Sequence, residues 1–158
     1  MERRLFLGGL ALCAATPWQL WARPPGWGAV DTARPWYVAG RVNAIRWTLP
    51  SVELLIAPDP TLALPAELRT DRLPAQRAQV DGAALLARTQ PAPLVATEWT
   101  LLLGAARLLH AWQLTPIEPG ERVAAVGYPL RAHPTPPLLR VEYLFHAGRA
   151  YPLRSPPA

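Results

Sequence analysis

The pattern of apolar and polar positions is organised around one stretch, Trp36 to Pro58, WYVAGRVNAIRWTLPSVELLIAP. Val38, Gly40 and Val42 share one parity, while Ile45 and Trp47 take the apolar role with the opposite parity. A strand whose side chains alternate with a period of two changes its buried face only through a bulge or kink, which is expected near Asn43-Ala44. A long first strand, Trp36 to about Trp47, bent after an early Gly, is how a small barrel turns its corner. Leu49-Pro50-Ser51 reads as the turn. Val52 to Ile56 reads as the second strand, with Val52, Leu54 and Ile56 on one face and Glu53 on the other.

Prolines at 58, 60, 65, 74, 91 and 93 mark Pro58 to Pro93 as an insertion with its own composition. Gln76 to Arg88 is rich in Ala and Leu and is compatible with a helix that Gly82 weakens. A connection this long either serves as a lid over something bound or is a loose excursion. Leu94 to Leu103 reads as the third strand, with Val95, Thr97, Trp99, Leu101 and Leu103 on one side and Gly104 ending it. Ala105, Leu108, Leu109 and Trp112 then form one helical stripe, stopped at Thr115-Pro116. Arg122 to Tyr128 is the fourth strand. Leu138 to His146 is the fifth, expected to point Leu139, Val141, Tyr143 and Phe145 one way and Arg140, Glu142 and His146 the other. Ala147-Gly148 is a hairpin turn, and Arg149 to Leu153 returns as a short sixth strand. The expected fold is therefore mainly β, a small Greek-key barrel of the OB type with one short helix between strands three and four. A β-sandwich is the alternative, for which six short strands are few.

Composition narrows the class. A chain of 158 residues with 51% apolar content suits one domain with its own core. The net charge of +5 comes entirely from Arg, since no Lys is present. Those Arg residues are scattered singly rather than clustered as a phosphate-binding footprint, so no nucleic-acid partner is expected. Residues 1–22 read as an export signal: Arg3 and Arg4 precede an apolar run from Leu5 to Ala15, and Ala22 offers a cleavage point. The run is too short to span a bilayer. Arg3-Arg4-Leu5-Phe6-Leu7 partly matches the twin-arginine export motif, with Glu2 out of pattern, and Leu10-Ala11-Leu12-Cys13 is a poor lipoprotein box. Cys13, the single cysteine, leaves with the signal. The domain over 23–158 then has no thiol for a disulfide, a nucleophile or a metal. Its expected location is the periplasm or the secreted fraction.

Gly26-Trp27, Tyr37-Val38-Ala39-Gly40-Arg41-Val42, Trp47-Thr48-Leu49-Pro50-Ser51, Trp99, Leu108 to Trp112 and Gly120 to Pro129 follow one another in an order and spacing that resembles a family of exported bacterial proteins of unknown function. The resemblance implies an OB-like barrel, the fold predicted for that family. Its pattern carries His-His before Gly-Trp and Asn-Pro-His in the first turn. Here Pro24-Pro25 and Leu49-Pro50-Ser51 stand at those places, so no imidazole-based role is carried over.

Candidate chemistry is sparse. His110, His133 and His146 fall on a helix, a loop and a strand without ligand spacing, and read as surface or capping residues. Ser51 and Ser155 lack a nucleophile elbow. Glu98 and Glu142 could form a hydrolytic carboxylate pair only if the fold brought them together. No cofactor is expected. The aromatic residues are the most informative feature, because Trp beside Arg on a barrel face makes a stacking platform. The competing reading is that Trp47, Trp99 and Trp112 fill the core. The binding face, if formed, is expected at Arg46, Trp47, Glu53, Trp99 and Tyr128. These features favour a non-enzymatic binding module for an unidentified ligand. An accessory subunit docking a membrane or secreted partner is the alternative, and a cryptic hydrolase built on Glu98 or Glu142 is the third reading. The denatured mass of protein from the exported fraction is expected to match a chain starting at Arg23 without lipid; a mass retaining residues 1–22 overturns the export reading.

Overall fold

The computed structural model describes residues 23–48, 50–70 and 72–158. Residues 1–22, expected to be an export signal, and Leu49 of the expected first turn lie outside them. The main strands are β1 (Trp36–Thr48), β2 (Ser51–Pro58), β3 (Trp99–Ala105), β4 (Arg122–Pro129), β5 (Leu138–His146) and β6 (Arg149–Pro152), with short helices α1 (Gly82–Arg88) and α2 (Ala106–Ala111); a two-residue strand, Gln90–Pro91, also pairs parallel with Trp36 and Tyr37. Around the barrel the order is β1-β2-β3-β5-β4 and back to β1, and β6 pairs with β5. All these neighbours are antiparallel except β3 and β5. With α2 between β3 and β4, this is a closed five-stranded OB-type barrel.

Closure depends on β1 serving two neighbours. One edge pairs with β4 over Trp36–Arg41, and the other pairs with β2 from Gly40 to Thr48. At the overlap the backbones nearly touch: a Cβ on Gly40 would sit 2.1 Å from the carbonyl oxygen of Ala57. Register then slips at Asn43, since Val42 faces Ile56 and Ala44 faces Leu55. The expected bulge is present at the expected place, and it carries Ile45 to the core side where Val42 stood.

Inside the barrel, Val38 and Val42 meet Val52, Leu54 and Ile56 of β2 and Trp99, Leu101 and Leu103 of β3. α2 plugs one end with Leu109 and Trp112, whose Nε1 donates to the Ser155 carbonyl at 2.9 Å. β5 departs from the expected alternation. Val126 faces Tyr143 while Gly127 faces Val141, so Glu142 is the extra residue of a second slip. Leu139 and Val141 point inward, then Leu144 does, and Tyr143 and Phe145 turn to the outer face. Gly127 makes room for the slip, because a Cβ there would lie 2.2 Å from the Arg140 carbonyl oxygen.

A second core covers the outer face of β1, β4 and β5. Tyr37, Ala39, Val126, Tyr128 and Tyr143 meet Leu68, Leu85 and Leu86 of the insertion, with Leu62, Leu64, Leu73 and Val80 at its edge. The insertion is thus a cap on that face, and Leu102 of β3 also belongs to this core. α1 begins at Gly82, where the Asp81 carboxylate caps the Ala84 amide at 2.9 Å. It does not extend back to Gln76, because residues 75–78 pair instead with 155–158: Arg77 N–H donates to Pro156 O, Ala158 N–H to Ala75 O, and Ala78 N–H to Ser155 Oγ. The third strand starts at Trp99 rather than Leu94. β2 finds its last β3 partner at Ile56–Trp99, so residues 94–98 have no ladder to join. No helix among the described residues is long and apolar enough to cross a membrane.

Gly127→Ala forces a methyl group onto the β5 backbone. Overpacking of this kind costs about 3 kcal/mol, a fall in Tm of roughly 10 °C. Differential scanning calorimetry checks this, with Gly148→Ala, in an open turn, as the milder comparison.

Candidate functional site

The five residues expected to form a face do not share one. Arg46 and Glu53 are cross-strand partners on β1 and β2 and form an ion pair, with Glu53 buried. Trp47, next along β1, is 59% exposed and stands beside α2 in a shallow cleft with Ala106, His110 and Gln113. Trp99 lies in the barrel core and Tyr128 in the outer core. Arg46, Trp47 and Glu53 are therefore neighbours, while Trp99 and Tyr128 belong to other parts of the molecule. The carboxylate pair is not assembled. Glu98 accepts from Asn43 Nδ2 at 3.0 Å, and Glu142, fully buried, is held by a fork from Arg154. Among the described residues no group of three or more His, Cys, Asp or Glu is placed to hold a metal. His146 instead meets Pro116 O at 3.3 Å and Glu121 Oε2 at 3.5 Å.

A cavity of about 260 Å³ opens at the mouth of the barrel, between the loop before β3 and the loop joining β4 to β5. Trp36 and Trp99 form its inner wall, edge to face, with centroids 5.8 Å apart and planes at 76°. Leu130, His133 and Pro134 of the β4–β5 loop face them, and Val95, 73% exposed, forms the rim. That loop is pinned by the N-terminal arm: Val30 bridges Leu130, Asp31 N–H donates to Pro129 O, and Arg131 N–H donates to Ala29 O. The Trp99 Nε1–H is buried out of solvent reach, without an acceptor among the described residues; leaving such a donor unmade costs about 1–3 kcal/mol.

Sequence reasoning singled out Trp99 but not its partner. Trp36 has the same parity as Val38 and Val42, so its inward direction was available as a signal. What brings it to Trp99 is the curvature of β1, which alternation does not encode. The Pro-rich loop 133–137 was visible as a loop, not as a wall.

No family model, curated protein or solved structure matches the chain.

The outer core gathers perturbed phenols. Burial pushes Tyr143 up to about 12, with Glu142 adding and the Gln76 hydrogen bond opposing. Burial also raises Tyr128 and Tyr37. A phenol with a raised pKa binds its proton more tightly folded than unfolded, where it titrates near 10. Its contribution is complete below pH 10 and lost as the pH rises toward 12. Arg140, lowered to about 10 by burial, acts with the opposite sign over the same range. The check therefore compares the wild type with Tyr143→Phe by urea unfolding. Their stability difference is expected to be constant up to about pH 9.5 and to shift against the wild type between pH 10 and 12.

Proposed function

We propose that this chain is an exported, non-enzymatic binding module whose ligand enters the mouth cavity between Trp36, Trp99 and the β4–β5 loop. The observation that carries the reading is the mostly apolar cavity itself, with the Trp36 and Trp99 rings as its inner wall. Binding pockets are mostly apolar with a few placed polar groups that fix orientation, and this one has that character. Its place agrees as well, since OB barrels take ligands on the face of strands two and three and at the loops beside it. The cavity is smaller than the roughly 300–1,000 Å³ of drug-sized sites. It suits one ring or a short apolar chain, alone or as the end group of a larger molecule. Export rests on the twin Arg and apolar run of residues 1–22, and on the resemblance to an exported OB-like family.

Ethylbenzene serves as the probe. With the indole N–H resonances of the mature protein assigned through Trp99→Phe, it is expected to shift the Trp99 signal saturably. Trp36→Ala should abolish that shift. No saturable shift, or one unaffected by Trp36→Ala, would remove the site.

A further inference from the structure

At the end of β3 away from the mouth, a second cleft of about 440 Å³ has a different character. Arg107 of α2, Arg140 of β5 and Arg154 converge on it, with Ser155 beside them and Leu108 and Leu153 as its apolar base. Arg154 is committed to Glu142, through Nε to both carboxylate oxygens at 3.2 and 3.0 Å and through Nη2 to one of them. Arg140 has no carboxylate partner among the described residues, and its Nε is buried without an acceptor. Trp27 of the N-terminal arm orders both side chains: the Arg154 guanidinium lies 4.1 Å and that of Arg140 4.7 Å from its ring centroid. Gly104 leaves the space that Arg140 fills, since a Cβ there would come within 3.3 Å of both Nη atoms.

Three guanidinium groups thus line one concave site, and among the described residues only Arg154 of the three has a carboxylate partner. Desolvated like charges are costly when uncompensated. Planar guanidinium groups with free N–H donors match the oxygens of a phosphate or sulfate, and an aromatic face that restrains two of them reduces the ordering cost of binding. We propose that this cleft binds a tetrahedral oxyanion, phosphate or the phosphate of a monoester, with Arg140 and Arg107 as its direct ligands and Arg154, fixed by Glu142, as the third wall. The site is separate from the mouth cavity and does not depend on it.

The test uses the mature protein and inorganic phosphate, titrated against chloride at equal ionic strength and read by isothermal calorimetry and by Tm. Saturable binding that raises Tm is expected, lost in Arg140→Gln and weakened at least fivefold in Arg107→Gln. Arg107 is exposed on α2, so its variant tests the idea even if Arg140→Gln fails to fold. Absence of saturable binding, a Tm rise matched by chloride, or a response unchanged in Arg107→Gln overturns the proposal. Phosphatidic-acid vesicles separate the sources of the phosphate. Sedimentation with them that follows Arg107 and is competed by free phosphate points to a lipid headgroup. Phosphate binding without sedimentation points to a soluble anion.

Discussion

The structure depends on one strand being shared. β1 holds β4 along one edge and β2 along the other, and the two pairings overlap only at Gly40 and Arg41. Everything that makes the molecule a barrel follows from that overlap. The backbones must approach closely enough to exclude a Cβ at Gly40, and the Asn43 slip must re-aim the remaining half of the strand. Without both, the sheet stays open and presents two unpaired edges. Closure also places the start of β1 beside the start of β3, which is why Trp36 and Trp99 touch although 63 positions separate them in the numbering.

The two register slips show what alternation reveals and what it hides. The slip in β1 was legible because Val42 and Ile45 are apolar while Asn43 and Arg46 are not, so the change of parity shows as a change of pattern. The slip in β5 was not legible. Tyr143 and Phe145 continue the apolar parity of Leu139 and Val141, but they are apolar because a second core lies on the outer face. Apolarity reports burial, not the side on which burial occurs. For the same reason the insertion read as a lid or loose excursion: its leucines are spaced by prolines rather than by a helical or strand period, and only their partners on β1, β4 and β5 explain them. The strand order and the helix between β3 and β4 were legible because each element has a clean period and a Gly or Pro boundary. Of the expected site, the adjacency of Arg46, Trp47 and Glu53 around one turn was readable from spacing. The meeting of Trp36, Trp99 and the 130–137 loop required the closed barrel.

The polar interior follows a similar logic. Glu142 is buried because it is the extra residue of the β5 slip, and a buried carboxylate survives only with a close partner. Arg154 is that partner, and both Arg154 and Arg140 rest on Trp27. Such a pair contributes little net stability compared with an apolar filling, while loss of one member is costly. Its effect here is positional. It ties the N-terminal arm, β5 and the segment after β6 into one arrangement, so the arm that pins the mouth loop and the cleft at the other end are held by the same few side chains.

The pairing of residues 75–78 with 155–158 sets an order of events. Ala78 and Ser155 are 77 positions apart, and Arg77 and Pro157 are 80 apart. As the chain is made from its N-terminal side, the insertion emerges while its clamp is still about eighty residues from appearing. During that interval Leu64, Leu73, Val80, Leu85 and Leu86 have no completed surface to cover, because β4 and β5 are also missing. The insertion is therefore exposed early and among the last segments to be fastened.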